Sequence, residues 1–211
     1  STPLYSSAAS DVYKRQPQWD LGVGRLCTLL SYGDASEIYM INDSTKDNAP
    51  LFRVSIPQFP ANGSMDEQIL VKKQLVEGRR KLKNYLNQAI HVDPHKGSKT
   101  SDILGFIERS APDAARKEMT VLFTDGLESA DRSLNFEKKC VARLNLNDTI
   151  PEVAKRRLWS SGALRGQVHF VLPDRPPARK CNSTRELEEF YRVLVKALGA
   201  ELTSFQPYLT L

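Results

Sequence analysis

Thr124-Asp125-Gly126 follows directly on the apolar run Met119 to Phe123. Such a run reads as a strand buried on both faces, as in parallel sheets. It therefore puts a carboxylate at a strand tip, with a glycine that lets the chain turn sharply. Open parallel sheets bind ligands beyond the C-terminal ends of their strands, and carboxylate and hydroxyl oxygens there suit a hard divalent cation. Asp-Gly is also a common turn dipeptide, so this step needs a companion. One lies upstream, where Lys99 to Ile107 passes from a polar loop into a helix and sets Thr100 and Ser101 at the junction. Their hydroxyls can ligate a cation, or Ser101 can cap the helix that begins at Asp102.

Other chemistry is less well supplied. A metal-dependent phosphohydrolase or nuclease would also place carboxylates at strand ends, and Asp43, Asp125, Glu128 and Asp174 are its candidates. Asp43 and Asp174 sit beside Asn42 and Pro173 as turn residues do, while Glu128 and Asp131 read as solvated loop charges. Asp125 lacks a second Asp two residues on, which a haloacid-dehalogenase-like nucleophile would carry. His91 and His95 are separated by the helix-breaking Pro94, and His169 alternates within a strand as a packing residue. None of the three lies beside a recognisable Ser or Cys nucleophile. Cys27, Cys140 and Cys181 have no paired spacing, so they read as ordinary thiols of a reducing, cytoplasmic compartment.

The elements that must position these residues are legible from periodicity. Apolar positions from Trp19 to Leu30, stopped by Gly33, give a helix. Glu37 to Ile41 and Leu51 to Ile56 are strand-like and separated by a polar stretch too short for a parallel crossover, which makes them an antiparallel hairpin. Ser64 and Glu67 have capping-box spacing ahead of a long surface helix reaching about Ile90. A shorter helix runs from Asp102 to Ala111. Thr149 and Glu152, with Pro151 in the first turn, predict a helix to about Ser161. Gln167 to Leu172 is the next strand. Ser183 and Glu186 open a helix that Gly199 stops, and a last strand lies near Leu202 to Pro207. Alternation of strand and helix predicts a parallel sheet with helices on both faces.

In this order, the hydroxyl junction and the strand-end Thr-Asp-Gly resemble the second and third segments of the metal-ion-dependent adhesion site of the von Willebrand factor A family. Ser101, Ile103 and Phe106-Ile107 match the family's pattern of hydroxyl, apolar residue and small-then-apolar pair, with Phe106 larger than usual. The resemblance is to bacterial-type members. It implies a Rossmann-like α/β domain, mostly parallel with one antiparallel edge strand. It also implies a site in which Ser101, with Thr100 as the alternative, and Asp125 help hold Mg²⁺ or another divalent cation, and an acidic side chain of a partner protein completes its shell. The implied function is metal-assisted protein binding rather than catalysis. The family's first strand, with its Asp-x-Ser-x-Ser type of motif, is expected before Trp19 and is not found there. Its absence predicts weak cation binding or none. A metal-free scaffold that contacts partners through the long basic helix is the remaining alternative.

Size and composition agree with one α/β domain. The chain has 211 residues, of which 40% are hydrophobic. Ser7 to Gln16 resembles translated sequencing-adaptor sequence, so residues 1–16 are expected to be an artefact or tail and 17–211 a single domain. The net charge of +5 is mild, and its runs at Lys72-Lys73, Arg79 to Lys81 and Lys155 to Arg157 read as solvated helix faces rather than a nucleic-acid site. No apolar stretch reaches the ~18 residues needed to cross a bilayer.

Overall fold

The computed structural model describes residues 2–6, 19–41, 49–89, 102–109, 119–159, 162–172 and 181–207. Its strands are β1 (Thr2–Ser6), β2 (Ala35–Ile41), β3 (Phe52–Ser55), β4 (Met119–Phe123), β5 (Gln167–Val171) and β6 (Glu201–Gln206). Its helices are α1 (Trp19–Leu29), α2 (Met65–Ala89), α3 (Ile103–Arg109), α4 (Leu146–Arg156) and α5 (Thr184–Ala197). The strands form one sheet in the order β3-β2-β1-β4-β5-β6. All neighbours are parallel except β2 and β3, whose antiparallel register joins Ala35 to Ser55 and Ile38 to Phe52. The expected mixed sheet with an antiparallel edge is what the chain builds.

Side chains alternate across the sheet, so β2, β4 and β5 each feed two cores. On one face Ile38, Val121, Phe123 and Val171 pack under Val23 and Leu26 of α1, Leu30 just past its end, and Leu75, Leu82 and Leu86 of α2. On the other, Tyr39, Ile41, Leu122, Val168 and Phe170 meet α3, α4 and α5, with Phe190, Tyr191 and Leu194 from α5 fully buried. The capping boxes read from sequence hold α2 and α5: Glu67 N–H donates to Ser64 Oγ at 3.3 Å, and Glu186 N–H donates to Ser183 Oγ at 3.2 Å.

Three expectations are corrected. The strand taken to be missing before Trp19 is present: Thr2–Ser6 lies between β2 and β4, with Leu4 level with Tyr39 and Leu122. The fourth helix starts at Leu146, not near Thr149. Asn145 caps it by accepting from the Asn147 N–H at 3.2 Å, and Pro151 lies inside it. The early start adds Leu146 to the face of Ile150 and Val153, and all three pack on the core.

Cys140 and Cys181 form a disulfide rather than staying as thiols. It lies beside the buried Asn182, which accepts from the Val141 N–H at 2.7 Å and donates to the Phe136 carbonyl at 2.6 Å. The bridge and the amide together tie the turn before α4 to the start of α5. The inference of a reducing compartment from three free thiols loses its premise. Cys27 alone is a free thiol, and burial pushes it up to about 11 despite the nearby Lys83 and Arg79. Replacing Cys140 and Cys181 with Ser is expected to lower stability by about 2–4 kcal/mol in urea unfolding, and reductant should do the same to the parent. An unchanged unfolding curve under reductant would mean the bridge contributes nothing.

Candidate functional site at the β4 tip

In a doubly wound sheet of this strand order, the crossover direction reverses between β1 and β4, and the crevice beyond their C-terminal ends is the expected ligand position. Asp125 stands there, two residues past the end of β4 and partly exposed. The turn that presents it is closely held. Thr124 is fully buried and its Oγ1 accepts from the Gly126 N–H at 3.2 Å. Asp125 Oδ1 accepts from the Leu127 N–H at 3.0 Å, the local bond that suits Asp to turns. Gly126 has φ +78°, and a Cβ there would lie 2.9 Å from the Phe205 ring. Its carbonyl accepts from the buried Tyr191 hydroxyl at 3.0 Å.

The second segment reaches the same place through a residue that sequence reasoning set aside. Glu128 is fully buried, not a solvated loop charge. Its Oε2 accepts from the Leu104 N–H at 2.9 Å, and its Oε1 accepts from the Ala130 and Asp131 N–H groups at 2.8 and 2.9 Å. The first bond fixes the start of α3 beside the β4 loop, so the two segments picked out by type and spacing converge. Burial, with a smaller push from Asp102, raises the Glu128 carboxyl to about 7 against the pull of its N–H donors.

Asp102 supplies the helix cap that the sequence offered to Ser101. Its Oδ1 accepts from the Gly105 N–H at 2.7 Å, and a Cβ on Gly105 would come within 1.9 Å of its Oδ2. Thr100 and Ser101 themselves lie outside the described residues, as do Asp43, Asp174, His91 and His95. His169 is buried, with Nδ1 3.1 Å from Ser204 Oγ and Nε2 lacking a hydrogen-bond partner among the described residues. Its place in the interior of β5, paired with Val121 of β4 and Ser204 of β6, keeps it off the strand tips.

Asp131 is likewise not a solvated charge. Its Oδ2 lies 2.9 Å from Arg156 and 3.0 Å from Arg157, and its Oδ1 accepts from the Ser133 N–H and hydroxyl. Burial would raise this carboxyl, but the Ser133 and Arg157 bonds outweigh it and hold it at about 2. Arg157 also approaches Asp102 at 3.9 Å, so the end of the basic run at Lys155 to Arg157 turns inward to neutralise acids.

This chemistry tests the implied cation. Among the described residues no group of three or more His, Cys, Asp or Glu is placed to hold a metal ion. Glu128 spends both oxygens on backbone N–H groups, Asp131 on Ser133 and two guanidiniums, and Asp102 on the Gly105 N–H, so these carboxylates are engaged in holding the loops together.

No family model matches the chain, and no curated protein matches it. Among solved structures, the von Willebrand factor type A protein from Catenulispora acidiphila is similar in part. Its TM-score is 0.41 at 10% identity, covering 96% of this chain and 37% of that one. The chain thus spans little more than a third of that protein's length.

Proposed function

We propose that this chain is a protein-binding module whose contact surface is the C-terminal edge of the sheet between β1 and β4, with Asp125 as its polar anchor. The observation that supports this most is the Glu128 link to Leu104. It holds two loop segments in one fixed arrangement at the ligand-binding end of the sheet, and a surface ordered before binding loses less entropy on contact. No helix among the described residues is long and apolar enough to cross a membrane.

In the metal-assisted form of this reading, Ser101 or Thr100 joins Asp125 around Mg²⁺. With Asp102 serving as the α3 cap, Ser101 is not needed for that task. Such an ion would supply an open position for a partner's carboxylate. The described donors alone give weak Mg²⁺ binding, with a dissociation constant on the order of a millimolar or weaker. Calorimetric titration of the chain and of Asp125→Ala tests this. Micromolar binding abolished by Asp125→Ala would restore a resident ion, while no heat in either leaves binding metal-free.

Protein binding itself is tested by selecting peptides from a displayed library on the immobilised chain. Selected peptides should lose about tenfold or more in affinity against Asp125→Ala. Peptides indifferent to that change would place the binding surface elsewhere.

A further inference from the structure

A second docking surface lies on α2 and β3, away from the β4 tip. Between Gln68 and Ala89, α2 carries six Lys and Arg residues against the single acid Glu77, an excess equal to the net charge of the whole chain, +5. The cations share the outer face with apolar residues left in solvent. Met65 is 72% and Val76 68% exposed, with Ile69 and Leu70 also exposed. At 3.6 residues per turn, Met65, Ile69, Lys72, Val76, Arg80 and Lys83 fall on one side of the helix, about a third of a turn round from the buried Val71, Leu75, Leu82 and Leu86. A solvated helix face has no use for that apolar component.

Beside this face runs a groove of about 360 Å³, floored by Val54, Ile56 and Gly78 and flanked by Lys73 and Lys81. Gly78 is what lets the helix sit this close, since a Cβ there would lie 2.4 Å from Ile56 Cδ1. The groove's other wall is β3, the edge of the sheet. Edge strands accept an extended segment of another chain as an added strand. Within the groove Glu77 holds Arg80 at 2.8 Å and Lys81 at 3.8 Å, while Lys73 makes no ion pair among the described residues.

We infer that the groove between β3 and α2 binds an extended acidic segment of a partner protein, with Lys73 as its main electrostatic anchor and Lys81 as its second. The two lysines are eight positions apart on α2, a rise of about 12 Å. An extended chain covers that length in about four residues, and its side chains alternate. The matching motif therefore has carboxylates at positions i and i+4 and an aliphatic residue at i+2, which reaches the apolar floor. A concave, apolar-floored slot suits a peptide chain better than a flat anionic bilayer.

The test uses a fluorescent heptapeptide with Asp and Glu at this spacing and Val midway, a control with Asn and Gln in place of the acids, and phosphatidylserine vesicles. The acidic peptide is expected to bind, and to weaken as salt rises. Lys73→Glu should weaken it about tenfold, while Glu77→Gln, which removes the competing acid, should tighten it. Circular dichroism melts of both variants establish that the fold is kept. Asp125→Ala should leave this binding unchanged, which separates it from the tip surface. Equal binding of the amide control, no binding up to about 1 mM, indifference to Lys73→Glu, or binding of vesicles but not peptide would each overturn the inference.

Discussion

Glu128→Ala is expected to destabilise the protein by about 2–3 kcal/mol, because it leaves one buried and two partly buried backbone N–H groups without an acceptor. Those donors belong to Leu104, Ala130 and Asp131, so the loss falls on the join between the β4 loop and α3. The wild-type carboxyl should also make stability pH-dependent in an uncommon direction. Its folded value of about 7 lies above the ordinary 4.5, so the folded state binds the proton more tightly than the unfolded state. The stabilisation is complete below about pH 4.5 and is lost as pH rises through 7, a change of roughly 3 kcal/mol. Asp131 acts oppositely: held at about 2 against an ordinary 3.8, it stabilises above pH 3.8, and that contribution fades as pH falls to 2. Burial also pushes the His169 ring down from 6.5, which favours the fold as pH rises toward that value, so the Glu128 share is read as the difference between wild type and Glu128→Gln in urea unfolding across pH. Glu128→Gln should flatten the decline on the alkaline side. A decline that survives Glu128→Gln would assign it to another group.

Deleting residues 1–6 should be more damaging still. β1 is the central link of the sheet, pairing with β2 on one side and β4 on the other. Its removal strips both ladders at once and separates β2 from β4. The cost exceeds the ~5–15 kcal/mol by which domains are stable. The truncated chain is expected to show no cooperative melt by circular dichroism and to lose dispersed amide signals in NMR. A truncation starting at Pro17 that melts as the full chain does would show that Thr2–Ser6 is dispensable, in agreement with its adaptor-like neighbour at residues 7–16.

The contrast between what the sequence shows and hides is physical. Met119 to Phe123 was readable as a buried strand because all but its first side chain are buried, and two of the helix starts because capping is a local, three-residue geometry. β1 was not, since Pro3 stands opposite Val121 in mid-sheet, where a residue without an N–H argues against a central strand. The start of α4 misled because Asn145 and Thr149 both offer a cap, and the first also brings Leu146 onto the core beside Ile150 and Val153.

The site divides in the same way. Asp125 was visible from the strand and glycine around it. Glu128 was hidden, since its burial depends on a donor 24 residues upstream and loops carry no periodicity from which to read burial. The one available signal was that Glu128 follows an Asp-Gly turn at a buried strand's end, where a second acid needs a partner. Cys140 and Cys181, 41 residues apart, are joined by the packing of α5 against the turn before α4, which spacing alone does not encode.

Amide hydrogen–deuterium exchange of the chain, with and without a peptide selected on it, tests the central claim most directly. Binding at the ordered edge of the sheet predicts new protection at Thr124 to Ser129 and at Asp102 to Leu104, absent in Asp125→Ala. Protection confined to α2 and β3, or none at the β4 tip, would contradict it.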